Sequence, residues 1–243
     1  GNHKDAIDQF TKALAIDPEY AQAYVERARS YEAIGELQHT ADDLKRALTF
    51  EQKEPELFFD AARVNYELAN YQDALELVNK SIALDKKSEP AFRLLARTQM
   101  ALEDFSNSLV SINRALELKD NAENNFYRGQ LSEKMKNFNQ AETDYKNALS
   151  RNNKYVEAYL AQASLRLQLN KPQEAMESCN AVLNLEPNNK EALLIRSRVY
   201  AKLTEYPKAI DDLSKILFNN PDDKEMYLVR GTYYQEFTQH QNA

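Results

Sequence analysis

The chain is poor in the residues that build metal and catalytic centres. One cysteine, Cys179, stands among 243 residues, so no internal disulfide can form. That removes one argument for an oxidising compartment and leaves cytoplasmic, periplasmic and lumenal settings compatible. The three histidines, His3, His39 and His240, lie far apart in sequence, whereas a zinc site needs three or four convergent ligands. Four scattered glycines cannot form a phosphate-cradling loop. No apolar run approaches the roughly 20 residues that span a bilayer. No Lys/Arg-led apolar leader opens the sequence, and a cleaved one would leave no trace. Positive charge is the minority sign, with 31 Lys and Arg against 38 Asp and Glu and a net charge of −7, which disfavours a phosphate backbone as partner. No metal, cofactor, nucleic-acid partner or membrane span is expected.

What the chain does have is a repeat. A pattern of the form A/S/T-x-x-x-L/Y/I-x-x-A-L places its leading small residue at Ala6, Thr40, Ala74, Ser108, Ala141, Ala175, Ala209 and Ala243, at intervals of 34, 34, 34, 33, 34, 34 and 34 residues. Self-similarity at this period marks a stacked helical array, in which each unit leaves an apolar face for the next to cover. The mean hydropathy of −0.71 and 28% charged residues suit helices that each keep one wet face.

Within an interval the apolar spacing is helical. In 190–223 a first helix offers Leu193, Ser197 and Tyr200, and a second offers Tyr206, Ala209, Ile210, Leu213, Ile216 and Leu217 in steps of three or four. Prolines fall only at helix ends: Pro18, Pro187 and Pro221 after second helices, and Pro55, Pro90, Pro172 and Pro207 in first turns. Gly1 and Gly35 fall in the turn inside a pair, while Gly129 and Gly231 take a slot where close backbone approach is expected. Ala28, Ala62, Ala96, Ala163 and Ser197 fill that slot elsewhere.

The predicted organisation is one all-α body of about fourteen helices. A lone second helix lies in a half-unit at 1–20, followed by pairs at 21–54, 55–88, 89–121, 122–155, 156–189 and 190–223 and a first helix in 224–243. The short interval places an irregularity around Lys119–Ala122, and both ends fall inside units, which predicts a piece of a longer protein.

The recurrence resembles the tetratricopeptide repeat (TPR) family over essentially the whole chain. Tyr159, Ala163, Ala175, Val182-Leu183 and Pro187 carry the likeness in one interval, and Tyr200, Tyr206, Ala209 and Pro221 in the next. The slot where that family often has Trp holds Tyr24, Phe58, Phe92, Tyr159, Leu193 and Tyr227, and this chain has no Trp. The resemblance implies a right-handed superhelix of antiparallel helix pairs, with first helices lining a concave wall.

Nothing in the sequence assembles a reaction centre. Cys179 occupies an apolar slot equivalent to Tyr145 and Leu213, which reads as inert packing. Asp42-Asp43, Asp211-Asp212 and Asp222-Asp223 read as solvated surface. On the implied concave wall, successive first helices align Arg29, Arg63 and Arg97, with Phe59, Arg93 and Phe126 one turn earlier and Tyr66 and Met100 one turn later. Arginine forks bind carboxylates and aromatics supply apolar anchors, so these eight residues are the candidate peptide-binding wall, suited to an acidic segment. Solvated charge is the competing reading, because Glu26 and Asp60 sit three residues before Arg29 and Arg63. Arg93 and Arg97 have no acid at that spacing, and their like charges make the strongest hint of a ligand. The Lys/Asn carboxylate clamp by which some TPR proteins hold chaperone tails has no match at the corresponding slots, for example Val25/Arg29, Asp60 and Pro90/Leu94. The expected function is a non-catalytic scaffold for a peptide or protein segment. The alternatives are a self-associating module, joined through exposed array ends, or the docking part of a larger enzyme or signalling protein.

Overall fold

The computed structural model describes residues 2–241, with the side chains of 240 and 241 left aside. Gly1, Ala243 and the His240 side chain therefore lie outside the described residues. Among the described residues there are fourteen α-helices and no strand, as the spacing predicts. They fall into two compact units, Gly1–Asp120 and Asn121–Ala243, which meet in sequence at the one shortened interval.

The first unit holds α1 (His3–Ile16), α2 (Ala21–Ala33), α3 (Leu37–Ala47), α4 (Pro55–Glu67), α5 (Tyr71–Leu84), α6 (Glu89–Ala101) and α7 (Phe105–Leu118). The second holds α8 (Ala122–Lys134), α9 (Phe138–Arg151), α10 (Val156–Gln168), α11 (Pro172–Leu185), α12 (Lys190–Lys202), α13 (Tyr206–Asn219) and α14 (Lys224–Gln241). Pro55, Pro90, Pro172 and Pro207 all sit at the first or second position of their helices, where a missing N–H costs nothing.

Every pair turns the same way. The first helix ends in a Schellman motif: in α4 the Asn70 N–H reaches the Asn65 carbonyl and the Ala69 N–H that of Tyr66, which satisfies carbonyls the helix end would orphan. The motif needs a left-handed residue, and Gly35, Ala69, Glu103, Lys136, Asn170 and Thr204 all take it, with φ between 60° and 81°. Only the first of these is a glycine.

Each core cluster spans three consecutive helices. Ala28 of α2, Leu44 and Ala47 of α3 and Leu57, Ala61 and Val64 of α4 form one, and Ala163 of α10, Cys179 and Val182 of α11 and Ile195 and Val199 of α12 another. A helix pair is thus sealed only by the next first helix, as stacked repeats require. The buried small residues Thr40, Ala74, Ser108, Ala141, Ala175 and Ala209 near the start of the paired second helices permit the crossing. Thr40 and Ser108 also donate their hydroxyls to the carbonyls of Ala28 and Ala96.

The first-helix slot and the residue sixteen positions on share one volume. Ala28 meets Leu44 in one core and Ala62 meets Val78 in another. Gly129 faces Tyr145, and a Cβ at Gly129 would lie 2.6 Å from Tyr145 Cε1. The close approach is therefore made by a ring rather than by a backbone. Gly231 differs from expectation: it is exposed and a Cβ there meets nothing within 4 Å, because none of the described helices packs over that side of α14.

Tyr145 is fully buried, and its hydroxyl donates to Glu133, so the ring cannot move aside. Overpacking costs about 1–3 kcal/mol, against a helix-propensity gain of about 1 kcal/mol for Gly to Ala. Gly129→Ala should lower the thermal midpoint, and Gly129→Ala/Tyr145→Leu, which restores the Ala28/Leu44 combination, should recover much of the loss. Calorimetry of both variants checks this, and an unchanged single variant would contradict it.

Candidate functional site

In the first unit the first helices α2, α4 and α6 carry seven of the eight predicted wall residues. Arg63 of α4 reaches Glu32 of α2 at 2.6 Å, and its own helix offers Glu67 at 3.3 Å and Asp60 at 3.9 Å. Hydrogen bonding to Glu32 holds the Arg63 guanidinium above its ordinary pKa. Burial, with Glu32 and Glu56 adding repulsion, pushes the Asp60 carboxyl up despite Arg63. The Arg97 guanidinium of α6 lies over the Tyr66 ring of α4, 4.5 Å from its centroid, a cation–π geometry. Phe59, Tyr66, Arg97 and Met100 are all half-buried. Arg29 is exposed and pairs with Glu26 at 2.6 Å.

Two expectations change. Arg93 is neutralised locally, because Glu89, four residues before it, lies 2.7 Å away; the acid sits at i−4 rather than at i−3, and both spacings share a helix face. Phe126 belongs to the second unit and is buried, with the rings of Tyr127, Tyr145 and Tyr155 5.1–6.0 Å from its own. It is a core side chain rather than an anchor for a ligand. The slot that is half-exposed at Phe59 closes there because aromatics crowd around the Gly129–Tyr145 crossing.

The field beside Arg29 is negative. A recess of about 590 Å³ at the loops preceding α2 and α4 is lined by Asp17, Glu19, Glu51, Glu54, Glu56 and Asp60, with Arg29 as its one basic residue.

The periodic ionic feature lies elsewhere, between the helices of a pair. Arg27 grips Asp43 with two bonds of 2.7 Å, Arg128 reaches Asp144 at 2.6 and 3.0 Å, and Arg196 grips Asp212 with two bonds of 2.8 Å. Asp43, Asp144 and Asp212 are 6%, 0% and 1% exposed, so two aspartates expected on the solvated surface are interior. Asp42 and Asp211, one residue earlier, do face solvent. The pair Arg-x15-Asp recurs in the sequence and was the available signal. It crosses a turn, so pairing by neighbours along one helix misses it. The same arginines reach back to the preceding second helix, Arg27 to Thr11 at 2.9 Å and Arg196 to Asn180 at 2.8 Å, bracing three helices at once.

Cys179 is buried and burial pushes its thiol up to about 12, which suits packing. Among the described residues no group of three or more His, Cys, Asp or Glu side chains could hold a metal ion, and no helix is long and apolar enough to cross a membrane.

The geometry defines a class: an α-helical repeat protein in which three helix pairs carry an internal Arg–Asp brace. Residues 128–190 match the tetratricopeptide repeat family. Solved structures agree in fold. A chain of the APC/C hetero-tetramer Cut9–Hcn1 superposes with a TM-score of 0.75 at 13% identity, over 96% of this chain and 46% of that one. This chain thus spans less than half of that protein. A tetratricopeptide repeat protein from Parabacteroides merdae gives 0.77 at 15% identity, over 96% and 93% of the two chains. YrrB, described as a TPR protein with an unusual peptide-binding site, gives 0.56 at 19% identity, over 76% and 95%. No curated protein matches in sequence. The family match covers residues 128–190, and the solved structures show the same helical-repeat fold for the rest of the chain.

Removing one member of a buried ion pair costs about 3–5 kcal/mol, whereas apolar replacement of both is close to neutral. Asp212→Ala should therefore destabilise the protein by about 3 kcal/mol. Arg196→Met/Asp212→Leu should fall near wild type, and Asp211→Ala, which removes an exposed pair with Lys215, should shift stability by less than about 1 kcal/mol. Denaturant titration ranks the three; equal effects of Asp211→Ala and Asp212→Ala would contradict the burial argument.

Proposed function

We propose that the protein is a non-catalytic scaffold that docks a peptide or protein segment against the first-helix face of its first unit. The observation that carries this is the contiguous half-exposed strip of Phe59, Arg63, Tyr66, Arg97 and Met100 across α4 and α6. Half-buried aromatic and thioether groups with arginine beside them are the composition of binding hot spots. YrrB, similar in fold, is a TPR protein with a peptide-binding site, which supports the reading.

An acidic partner segment remains the favoured chemistry at Arg97, where a carboxylate can share a guanidinium fork, and not at Arg63, which Glu32, Glu67 and Asp60 already engage. At Arg29 it is disfavoured by the surrounding carboxylates. A segment lying along α4 and α6 therefore avoids the acidic recess.

An acidic peptide library titrated against wild type and Tyr66→Ala/Arg97→Ala should show at least tenfold weaker binding to the variant, at a temperature where circular dichroism finds both folded. Equal affinity would overturn the assignment of this face.

A second reading, self-association, is favoured by α14, which exposes Tyr227, Leu228 and Tyr234. Apolar side chains grouped in this way mark association surfaces. Sedimentation should then show mass rising with concentration, and Leu228→Glu/Tyr234→Glu should hold the protein monomeric. A wild type that stays monomeric throughout would discard this reading.

A further inference from the structure

The arginine brace is absent from three repeats, and in one of them a groove lies in its place. The position of Arg27, Arg128, Arg196 and Arg230 is held in the other repeats by Ala61, Leu95 and Gln162. The guanidinium groups of Arg27 and Arg196 fill the space between adjacent second helices. Arg27 contacts Thr11 and Asp43, Arg196 contacts Asn180 and Asp212, and Arg230 reaches Ser214 at 3.0 Å. Gln162 accepts from Ser178 at 3.0 Å with Arg166 alongside, and Leu95 is a buried core residue. At Ala61 the residues sixteen before and sixteen after are Lys45 and Leu77. Both line a groove of about 630 Å³ with α3 and α5 as walls and α4 as floor.

The lining states what can occupy it. Ala41, Leu48, Phe58, Ala61 and Leu77 make an apolar bed. Leu77 stands where Asp43, Asp144 and Asp212 stand in braced pairs, so an incoming guanidinium would find no acceptor there. An apolar side chain of leucine or phenylalanine size meets that bed. On the rim, Glu76 and Lys80 neutralise each other at 2.6 Å. Asp42 on one wall and Asp73 on the other then face Lys45 as the remaining charge, on a protein of net charge −7. Basic residues on either side of the apolar anchor complement this rim and are attracted by the overall field.

We propose that the α3–α5 groove is a docking site for an amphipathic partner helix that inserts one large apolar side chain at Ala61 and sets lysine or arginine against Asp42 and Asp73. The mode is a helix laid between two helices, with anchors one turn apart. This site is independent of the first-helix face, and the two can be occupied by different segments.

The probe is a fluorescein-labelled 18-residue synthetic helix with a leucine stripe and lysine flanks, beside the same helix with glutamate flanks, read by anisotropy. Ala61→Arg/Leu77→Asp rebuilds the Arg27–Asp43 brace and fills the slot without changing net charge. It should weaken the lysine helix at least tenfold. Asp42→Lys/Asp73→Lys alters only exposed residues and should reverse the preference toward the glutamate helix. Tyr66→Ala/Arg97→Ala should leave the lysine helix bound as before. The proposal is overturned if wild type binds neither helix or if the filled slot binds as well as wild type. It is equally overturned if only Tyr66→Ala/Arg97→Ala loses binding, or if the groove variants abolish self-association instead, which would make a second copy the occupant. Should the slot-filling variant not fold, the reversal at Asp42 and Asp73 decides alone.

Discussion

Everything in these units depends on how closely two helices of a pair can cross. The crossing is set by a small residue on the first helix and by whatever stands sixteen positions later on the second. Ala28, Ala62, Ala96, Gly129, Ala163 and Ser197 are all buried, and the opposing residue is Leu44, Val78, Ile112, Tyr145, Cys179 or Leu213. Interiors packed at crystal density tolerate little change in the sum of such a pair. Glycine and tyrosine together replace alanine and an aliphatic residue at one crossing, and the pair geometry is kept. The constraint is therefore on shared volume rather than on either residue, which explains how one fold persists with so varied a sequence at the slot.

A second constraint is ionic. A guanidinium placed between three helices must satisfy several donors away from water, and a buried cation is tolerated only when paired and hydrogen-bonded. Asp43 and Asp212 supply two oxygens each, and Thr11 and Asn180 take a further N–H. Bidentate geometry fixes the sliding of one helix along the other more sharply than apolar contact does. The brace thus sets register inside a pair and between neighbouring second helices. Leu95 dispenses with the charge and keeps the packing, so the brace is one solution among several to the same filling problem.

The sequence made the helices legible because their period is a packing period. A 34-residue recurrence of small residues survives wherever each unit must rest on the next, and proline positions mark the ends without any tertiary information. What it hid were contacts whose partners are related by a turn. Arg27 and Asp43 are sixteen residues apart and invisible to a search along one helix face. The left-handed turn was legible at Gly35 alone, since Ala69, Glu103, Lys136, Asn170 and Thr204 adopt the same φ under tertiary constraint despite a local cost of about 1–2 kcal/mol. The wall was half legible. Repeat register places Tyr66 and Arg97 on neighbouring first helices, where their side chains meet, but register cannot tell an exposed aromatic from a buried one. Phe126 sits one slot-equivalent from Phe59 and is interior because Tyr145 and Tyr155 close over it.

In the proposed assignment, stability and recognition fall on different positions of the same repeat. The crossing slot and the brace lie between helices, whereas Phe59, Tyr66 and Met100 lie on the outer side of first helices and Asp42 and Asp73 on second helices. Substitution on either face leaves the crossing intact. Substitution at the brace is different in kind, because it alters the surface and the interior at once. Ala61 and Leu77 remove a guanidinium and its carboxylate together, so no buried charge is stranded and the pair still folds around Val64 and Leu57. Both partners are also lost at Leu95/Ser111 and Gln162/Ser178, where a larger side chain fills the space. A recess on the second-helix side therefore arises where the ionic brace is given up and only the small Ala61 takes the arginine's place, and Ala61 and Leu77 make its apolar bed.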